Sequence, residues 1–586
     1  MLVYDAPVKD IRFLLEVFDY ERVEQLEEYS AYDIDTVEMM LEQSGRFFSQ
    51  EVLPTNPVGD KQGIDYDPET QQLETADGFQ EVYEQIAENG YVGICTPQEY
   101  GGGGAPESLG VSINEMATAT NKSLAMFTLL STGLSRALLA HGTDEQKETY
   151  LPKLASGEWG ATMALTEPHC GTDLGLLRTR AEPEGDHYKL SGKKIWITGG
   201  EHDLTDNIVH FVLARLPDAP EGIKGISAFL VPKFLEDGTR NPAFCTGVEH
   251  KMGIHGSPTC EMEFDEAVGY MVGEPNQGMR SMFVMMNEAR LKVGIEGVAL
   301  SEIAYQTALG FAKDRRQSRS SDPDKRDADN PADPILVHPD VRRMFADVKA
   351  TTEGMRALVA WTSINLDLAD HHPDEETSRQ AEDLVALLTP VIKAFCTKRG
   401  FENISEAMQI CGGAGYTTDM HIEQYMRDMR IGMIYEGTNH IQALDLVGRK
   451  LAIDDGRLFE TFQQKVGQMV EACEEIPELS DFAETLRAIS GELTSLTRTL
   501  GQRAAEDAEQ AGAVANHYLD YLALTAIGYA WLRQLKHGLE TGHDGIDTKL
   551  KTGRFYFNQI LPETRTLANQ IRQGKSDVMA FDQDEF

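Results

Sequence analysis

Apolar residues recur at three- and four-residue spacing over residues 34–52 and 76–89, the mark of one buried helical face. The segment GYVGICTPQEYGGGG (90–104) interrupts this pattern with glycines and a proline that cannot continue a helix, so it reads as a loop. Helical spacing resumes over 112–141 and stops at Gly142-Thr143. From 161 to about 272 the period changes. Short β-branched and aromatic segments (HYKLSG, KKIWITGG, NIVHFVLAR, GISAFLVP and TCEMEFDEA) alternate with Gly, Pro and Asp, and in the last of them Cys260, Met262 and Phe264 alternate with Glu261 and Glu263. Period two over short segments with turns predicts a small antiparallel β domain. Helical spacing then returns in one long segment from about 279 to 316, followed by a loop rich in proline and aspartate at 318–339. Two more long helices are separated by HHPDEE at 371–376, and CGGAGY (411–416) is a tight turn. Beyond Asp454-Asp455-Gly456 the pattern restarts, with three amphipathic helices over 457–541 and another near 559–573. The chain is therefore expected to be mainly α with a central antiparallel β domain. Its expected divisions are a helical 1–160, a β domain 161–277, a helical bundle 278–450 and an additional helical domain 451–586.

A chain of 586 residues is too long for a single core, which agrees with several domains. Its formal charge of −42 argues against nucleic-acid binding, which needs clustered positive charge. The longest apolar run, Tyr521–Leu532, is closed by Asp520 and Arg533 and is about half of what a bilayer requires. It reads as a core helix, so no integral membrane segment is expected. MLVYDAPVKD has no basic region followed by an apolar stretch, so no secretory signal is read and a cytoplasmic location is expected. The seven cysteines are scattered and lack CxxC pairing, which points to buried thiols rather than disulfides or zinc. His169, His250 and His255 share no ligand spacing, and no metal is expected. The glycine run 101–104 is not followed by Lys-Ser/Thr and is no phosphate loop.

Two strings carry candidate chemistry. LTEPHCGTD (165–173) gathers the hydroxyls of Thr166 and Thr172 and the backbone amides around Gly171 in a compact turn. On a strand, Trp196 and Thr198 share one face, with Ile197 on the other. An indole and a hydroxyl facing one ligand suit a flavin, which needs polar groups along its ring edge and an aromatic cover. Either string alone is equally an ordinary turn or strand.

Together with PQEYGGGG (97–104), residues 142–200, MGIHGSPT (252–259), QICGGAGY (409–416) and MRDMRIGMIYEGTNHIQ (426–442), these strings resemble the acyl-CoA dehydrogenase flavoprotein family, in the family's order and over about residues 35–450. The total length, the 318–339 insertion, the helical tail and TEPHCGTDLG are similar to its long bacterial branch. The resemblance implies an FAD cofactor and the α,β-dehydrogenation of an acyl-CoA to the trans-2-enoyl-CoA. It places Met163, Leu165 and Thr166 at the flavin ring edge and Trp196 over the ring face, with Ile197 beside it. Thr198 would lie near the hydride-accepting nitrogen, and Gly171 and Thr172 between cofactor and the CoA pyrophosphate. Arg290 matches a CoA-holding arginine and Arg315 one on the cofactor pyrophosphate. Gln409, Gly412 and Gly413 match a turn reaching the FAD of a neighbouring subunit, and Thr438 would also touch FAD.

The resemblance makes Glu436 the base that removes the α-proton, with Gly437 letting substrate approach the backbone. A carboxylate can do this when it reaches the proton, is raised in pKa by burial, and the enolate oxygen finds donors. Some branches place the base immediately before the arginine matching Arg290. That position is Ala289 here, and Glu288 points about 100° away on a helix. Two positions depart from the family: Ser318 stands where an aromatic is common, and His440 where glutamine is frequent. Short or medium acyl chains, 3-methylthiopropionyl among them, are the expected substrates. An electron-transfer flavoprotein is the expected acceptor, and the tail suggests a homodimer. An oxidase using dioxygen and a catalytically idle assembly subunit are the competing readings.

Overall fold

The computed structural model describes residues 2–586. Its chain folds into two compact units, one formed by residues 1–45, 107–115 and 293–586, the other by 46–106 and 116–292. The sequence division follows changes of element type, whereas these units follow packing.

The second unit is built around seven strands: β1 (Trp159–Ala164), β2 (Arg180–Glu184), β3 (His187–Thr198), β4 (Asn207–Arg215), β5 (Ile226–Pro232), β6 (Ala243–Val248) and β7 (Thr259–Val272). They lie in the order β1-β4-β2-β3-β7-β5, with β6 on β7 and a further β4–β5 pairing that closes a ring of β4, β2, β3, β7 and β5 and leaves β1 and β6 each paired on one side. Pairing is antiparallel except for β1 with β4 and a single parallel bridge, Arg180 to Arg215. The parallel pair arises because the chain leaves β1 through a loop and the β2–β3 hairpin before returning as β4. The segments HYKLSG and KKIWITGG form one twelve-residue strand, bent by irregularities between Leu190 and Gly192 and between Lys194 and Ile197. Strands β4 and β5 are buried along nearly their whole length and send side chains into two cores. Phe211, Leu213 and Leu230 pack with Leu134, Leu138 and Met285, while Val212, Phe229 and Val231 pack with Ile197, Met262 and Phe264.

The helix α1 (Glu107–His141) kinks at Asn121, where φ is −155° and ψ 93°. The Asn121 amide spans the break: its Oδ1 accepts the Leu124 N–H at 3.1 Å and its Nδ2 donates to Thr55 Oγ1 at 2.8 Å. Among the described residues α1 is the one helix long and apolar enough to cross a membrane by length and composition; 72% of its most apolar window is buried in the protein, as in a core helix.

The first unit contains the long helices α2 (Gly278–Asp314, from Val293), α3 (Pro339–His371) and α4 (Glu375–Ile410), then α5 (Asn439–Gly448), α6 (Arg457–Cys473), α7 (Ser480–Glu506), α8 (Glu509–Thr541), α9 (Ile546–Phe555) and α10 (Glu563–Gln573). The apolar run Tyr521–Leu532 is the buried heart of α8, which packs on α3, α4, α5 and α7. Trp531 is fully buried and donates Nε1–H to the Ala350 carbonyl at 3.2 Å. Helix α9 went unread in the sequence because IDTKLKTGRF is mostly polar.

Buried ion pairs join distant parts of this unit. Arg356 meets Glu115 and Glu302 at 2.7 Å and Asp10 at 2.8 Å. Lys549 meets Asp10 at 2.5 Å and Glu353 at 2.9 Å. Asp367 of α3 accepts the Glu107 N–H at 2.6 Å and the Ser108 N–H at 3.1 Å, supplying the acceptors that the first turn of α1 needs.

Candidate active site

The turn 165–173 is fixed from beneath by a buried carboxylate. Glu167 accepts the N–H groups of Arg178 (2.7 Å) and Thr179 (3.0 Å), the Thr179 hydroxyl (2.6 Å) and the Lys194 ammonium (2.9 Å). Lys194, fully buried, also donates to the Leu165 carbonyl at 2.9 Å. Burial alone would raise the Glu167 carboxyl, but Lys194 and the other donors outweigh it and hold the group below its ordinary value. Burial holds Lys194 below its ordinary value even though Glu167 opposes the shift. One residue past Lys194, the Ile195 N–H donates to the Thr166 carbonyl at 2.9 Å. The turn is thereby locked to β3 immediately before Trp196.

Trp196 sits inside the β3 irregularity, where three residue steps from Lys194 to Ile197 face two steps on β7 from Met262 to Cys260. Its φ is +59°, a left-handed conformation costing about 1–2 kcal/mol for a residue other than glycine. The extra residue turns the indole outward, leaving it 61% exposed, and returns Ile197 to the core. The Ile197 side chain therefore faces away, and its backbone is what it can offer a ligand. Thr166, Met163 and Thr198 are half-buried, Leu165 is buried, and Gly171 and Thr172 are exposed. A Cβ added at Gly171 would lie 3.8 Å from Thr166 Cγ2, which puts these two positions side by side. An exposed, strained indole next to a rigid turn of hydroxyls and open backbone fits a flavin ring. Glu167, His169 and Cys170 lie within 4.8 Å of one another, but the Glu167 oxygens already take four donors and are not available to an ion.

In the other unit, Glu436 and Gly437 are two successive left-handed residues, at φ +56° and +80°. The Glu436 side chain is half-buried. On one side Tyr435 donates its hydroxyl to Glu296 Oε1 of α2 at 2.5 Å, and burial, reinforced by the Glu296 charge, pushes this phenol well above its ordinary value. On the other side two buried residues hold the turn by its carbonyls. Gln442 Nε2 donates to Glu436 O at 3.0 Å and to Gly437 O at 3.2 Å. Lys393 Nζ donates to Gly437 O at 2.7 Å and to Asn439 Oδ1 at 3.2 Å. A Cβ at position 437 would stand 2.8 Å from Gln442 Nε2 and would push that amide off the turn, at a φ of +80° that already favours glycine. The Thr438 hydroxyl caps α5 by accepting the Ile441 N–H at 3.3 Å. His440 is exposed, 3.4 Å from Asn516 Oδ1.

The remaining expected residues lie elsewhere. Gln409, Gly412 and Gly413 are exposed beside Tyr416, itself 84% exposed, and an added Cβ at either glycine meets nothing within 4 Å. Arg315 is exposed at the end of α2, three residues before Ser318, whose φ is +60°. Arg290 is buried on α2, with Nη1 3.4 Å from Asn287 Oδ1. Ala289 is buried, and Glu288 is paired with Lys292 at 2.8 Å and lies 4.0 Å from Arg136. These cations hold the Glu288 carboxyl below its ordinary value against the effect of burial. The sequence reading missed Glu167, Lys194, Lys393 and Gln442. Glu167, Lys194 and Gln442 stand inside the quoted strings, whereas Lys393 lies outside them and announces itself only through the Gly437 carbonyl it reaches.

Comparison with known proteins places the chain among named relatives. Family models described as the N-terminal, middle and C-terminal domains of acyl-CoA dehydrogenase match residues 35–158, 162–267 and 276–451, and one described as acetyl-CoA dehydrogenase C-terminal like matches 462–582. The 3-methylmercaptopropionyl-CoA dehydrogenase of Ruegeria pomeroyi is 42% identical over 90% of this chain and 86% of its own length. The broad-specificity linear acyl-CoA dehydrogenase FadE5 of Mycobacterium tuberculosis is 31% identical over the full length of both. Among solved structures, Caenorhabditis elegans ACDH-11 in complex with C11-CoA shares the fold at a TM-score of 0.81 and 18% identity, covering 99% of this chain and 96% of its own. An acyl-CoA dehydrogenase complexed with FAD from Bacillus anthracis does so at 0.75 and 23%, covering 94% and 90%.

Proposed function

The chain belongs to the acyl-CoA dehydrogenase family, and from that premise we propose that Glu436 is the base that takes the α-proton of the bound thioester. The enzyme dehydrogenates an acyl-CoA, with FAD as its cofactor. When bound, the flavin supplies the acceptor for the β-hydride. The observation that carries the assignment is the Glu436–Gly437 turn, a single acid held in a left-handed conformation by buried donors on its carbonyls. A base fixed this way loses little orientational freedom when substrate arrives. Tyr435 and Glu296 tie down the residue before it, and expulsion of water by the acyl chain strengthens the basicity of the carboxylate. Trp196, Thr166, Thr172 and Thr198 are the side chains offered to the flavin, with Met163, Leu165, Gly171 and the Ile197 backbone around them. Arg315 and the Gln409–Gly413 turn are offered to the cofactor's far end, the turn to that of a second subunit, and Thr438 adds a contact beside the base. Thr172, Arg290 and Gly437 serve the CoA thioester.

The preferred substrate is a short or medium acyl-CoA, and the likeness to the Ruegeria pomeroyi enzyme favours the 3-methylthiopropionyl thioester. Electrons leave to an electron-transfer flavoprotein, and the enzyme works as a cytoplasmic homodimer. Anaerobic titration of the holoenzyme with acyl-CoAs from propionyl to palmitoyl plus 3-methylthiopropionyl, followed at the flavin absorbance band, ranks the substrates. Glu436→Gln is expected to bind the best of them and lose bleaching by at least about a thousandfold in rate; a variant that still bleaches at the wild-type rate removes Glu436 from the mechanism.

A further inference from the structure

Lys393 is the least expected group near the base. It lies in the middle of α4, its side chain is completely buried, and its ammonium ends on the carbonyl of Gly437 at 2.7 Å and on Asn439 Oδ1 at 3.2 Å. A buried ammonium is costly to desolvate, so it persists where its hydrogen bonds are supplied by fixed acceptors. The Gly437 carbonyl and Asn439 Oδ1 belong to the five residues 435–439. Asn439 is itself held from α4: its Nδ2 donates to Ala394 O at 2.9 Å, and its Oδ1 also receives the Thr397 hydroxyl at 3.3 Å. Gln442, fully buried one turn into α5, holds the carbonyls of Glu436 and Gly437. The turn carrying Glu436 is thus fixed to two helices through its main chain. Two successive residues at positive φ do not keep that conformation by local preference.

We propose that Lys393 and Gln442 are positioning residues for proton abstraction, and that Lys393 sets the direction of the Glu436 carboxylate by fixing the Gly437 carbonyl. This rests on Glu436 being the base. Neither residue needs to touch substrate or cofactor. Removing the ammonium frees the Gly437 peptide to rotate, and that rotation swings the Glu436 side chain from its line of attack.

The test uses the FAD-loaded enzyme with Lys393→Met, Gln442→Met, Glu436→Gln and the double variant Lys393→Met/Glu436→Gln. Stopped-flow bleaching under anaerobic conditions gives the reduction rate and the substrate dissociation constant separately. Loss of α-deuterium from labelled acyl-CoA to water reports the proton step itself. Lys393→Met is expected to slow bleaching and α-exchange together by about 10- to 100-fold, with the dissociation constant within about threefold of wild type. Gln442→Met is expected to give a smaller loss of the same kind. In the Glu436→Gln background the Lys393 change is expected to add nothing, because the group it aims is gone. Unchanged α-exchange in Lys393→Met, alongside a dead Glu436→Gln, overturns the positioning role and leaves the base assignment standing. An active Glu436→Gln overturns the base assignment instead. If Lys393→Met does not retain flavin, Gln442→Met decides: wild-type α-exchange in that variant overturns the proposal.

Discussion

At Trp196 and Glu436 the backbone takes φ values of +59° and +56°, and both side chains belong to the strings that first pointed to flavin and base. Neither conformation was legible in the sequence, which predicted a regular strand at Trp196. The two residues stood out in the sequence because a flavin needs an aromatic cover and the proposed proton abstraction needs a lone carboxylate. Their neighbours explain how the strain is held, and removing those neighbours has calculable effects. Gly437→Ala puts a Cβ 2.8 Å from Gln442 Nε2 at a φ of +80°, and is expected to lower the flavin reduction rate at least about tenfold, read by stopped flow with little change in melting temperature. Lys194→Met leaves Glu167 buried without its cation; a stability loss of about 3–5 kcal/mol is expected in denaturant unfolding, with weaker flavin retention. Asp367 behaves in the opposite sense. Burial raises its carboxyl to about 8, against the hydrogen bonds it accepts at the start of α1. Its folded form holds a proton that the unfolded chain releases above about pH 4, so stability drains away between about pH 4 and 8, by at most about 1.4 kcal/mol per pH unit. Asp367→Asn escapes that loss. Its melting temperature relative to wild type is expected to climb from pH 5 to pH 8 and then level off; a flat difference across that range rules the account out.

Among the elements, period and turn chemistry located nearly every long helix, because each buries one face against its neighbours. They failed where burial is not periodic. Helix α9 is mostly polar, yet it brings Lys549 to Asp10 and Glu353 in the interior, a pairing that no local pattern announces. Strands β4 and β5 were recognised by their β-branched and aromatic residues between turns, but the parallel β1–β4 neighbour depends on the path of the chain through β2 and β3. Helix packing is close where α3 meets α8. At Gly354 an added Cβ would come within 2.6 Å of Ile527 Cγ2 and 2.9 Å of Trp531 Nε1. Gly354→Ala is expected to destabilise the protein by about 1–3 kcal/mol through overpacking, read as an earlier denaturant midpoint with an unchanged slope.

For the molecule as a whole, the strongly acidic composition argued against nucleic-acid partners but said nothing of architecture, since charge reports on solubility and encounter rather than fold. The helices after residue 456 looked like an appendage in sequence. In the structure α8 supplies much of the core of its unit, with Tyr518, Tyr521, Tyr529 and Trp531 all buried. A chain ending at residue 456 is expected to aggregate instead of giving a smaller active enzyme, and light scattering with circular dichroism checks it. For the intact enzyme light scattering is expected to report a dimer; a tetramer would sink that assignment. The pairs Asp10–Lys549 and Asp19–Arg533 carry a further meaning. Asp10 stands in the helix Val8–Val17 and is clasped by Lys549, 539 positions later, so this clasp closes only after both have been translated. A ribosome that stalls between them leaves that helix unclasped, and the nascent protein stays a client of chaperones until residue 549 emerges.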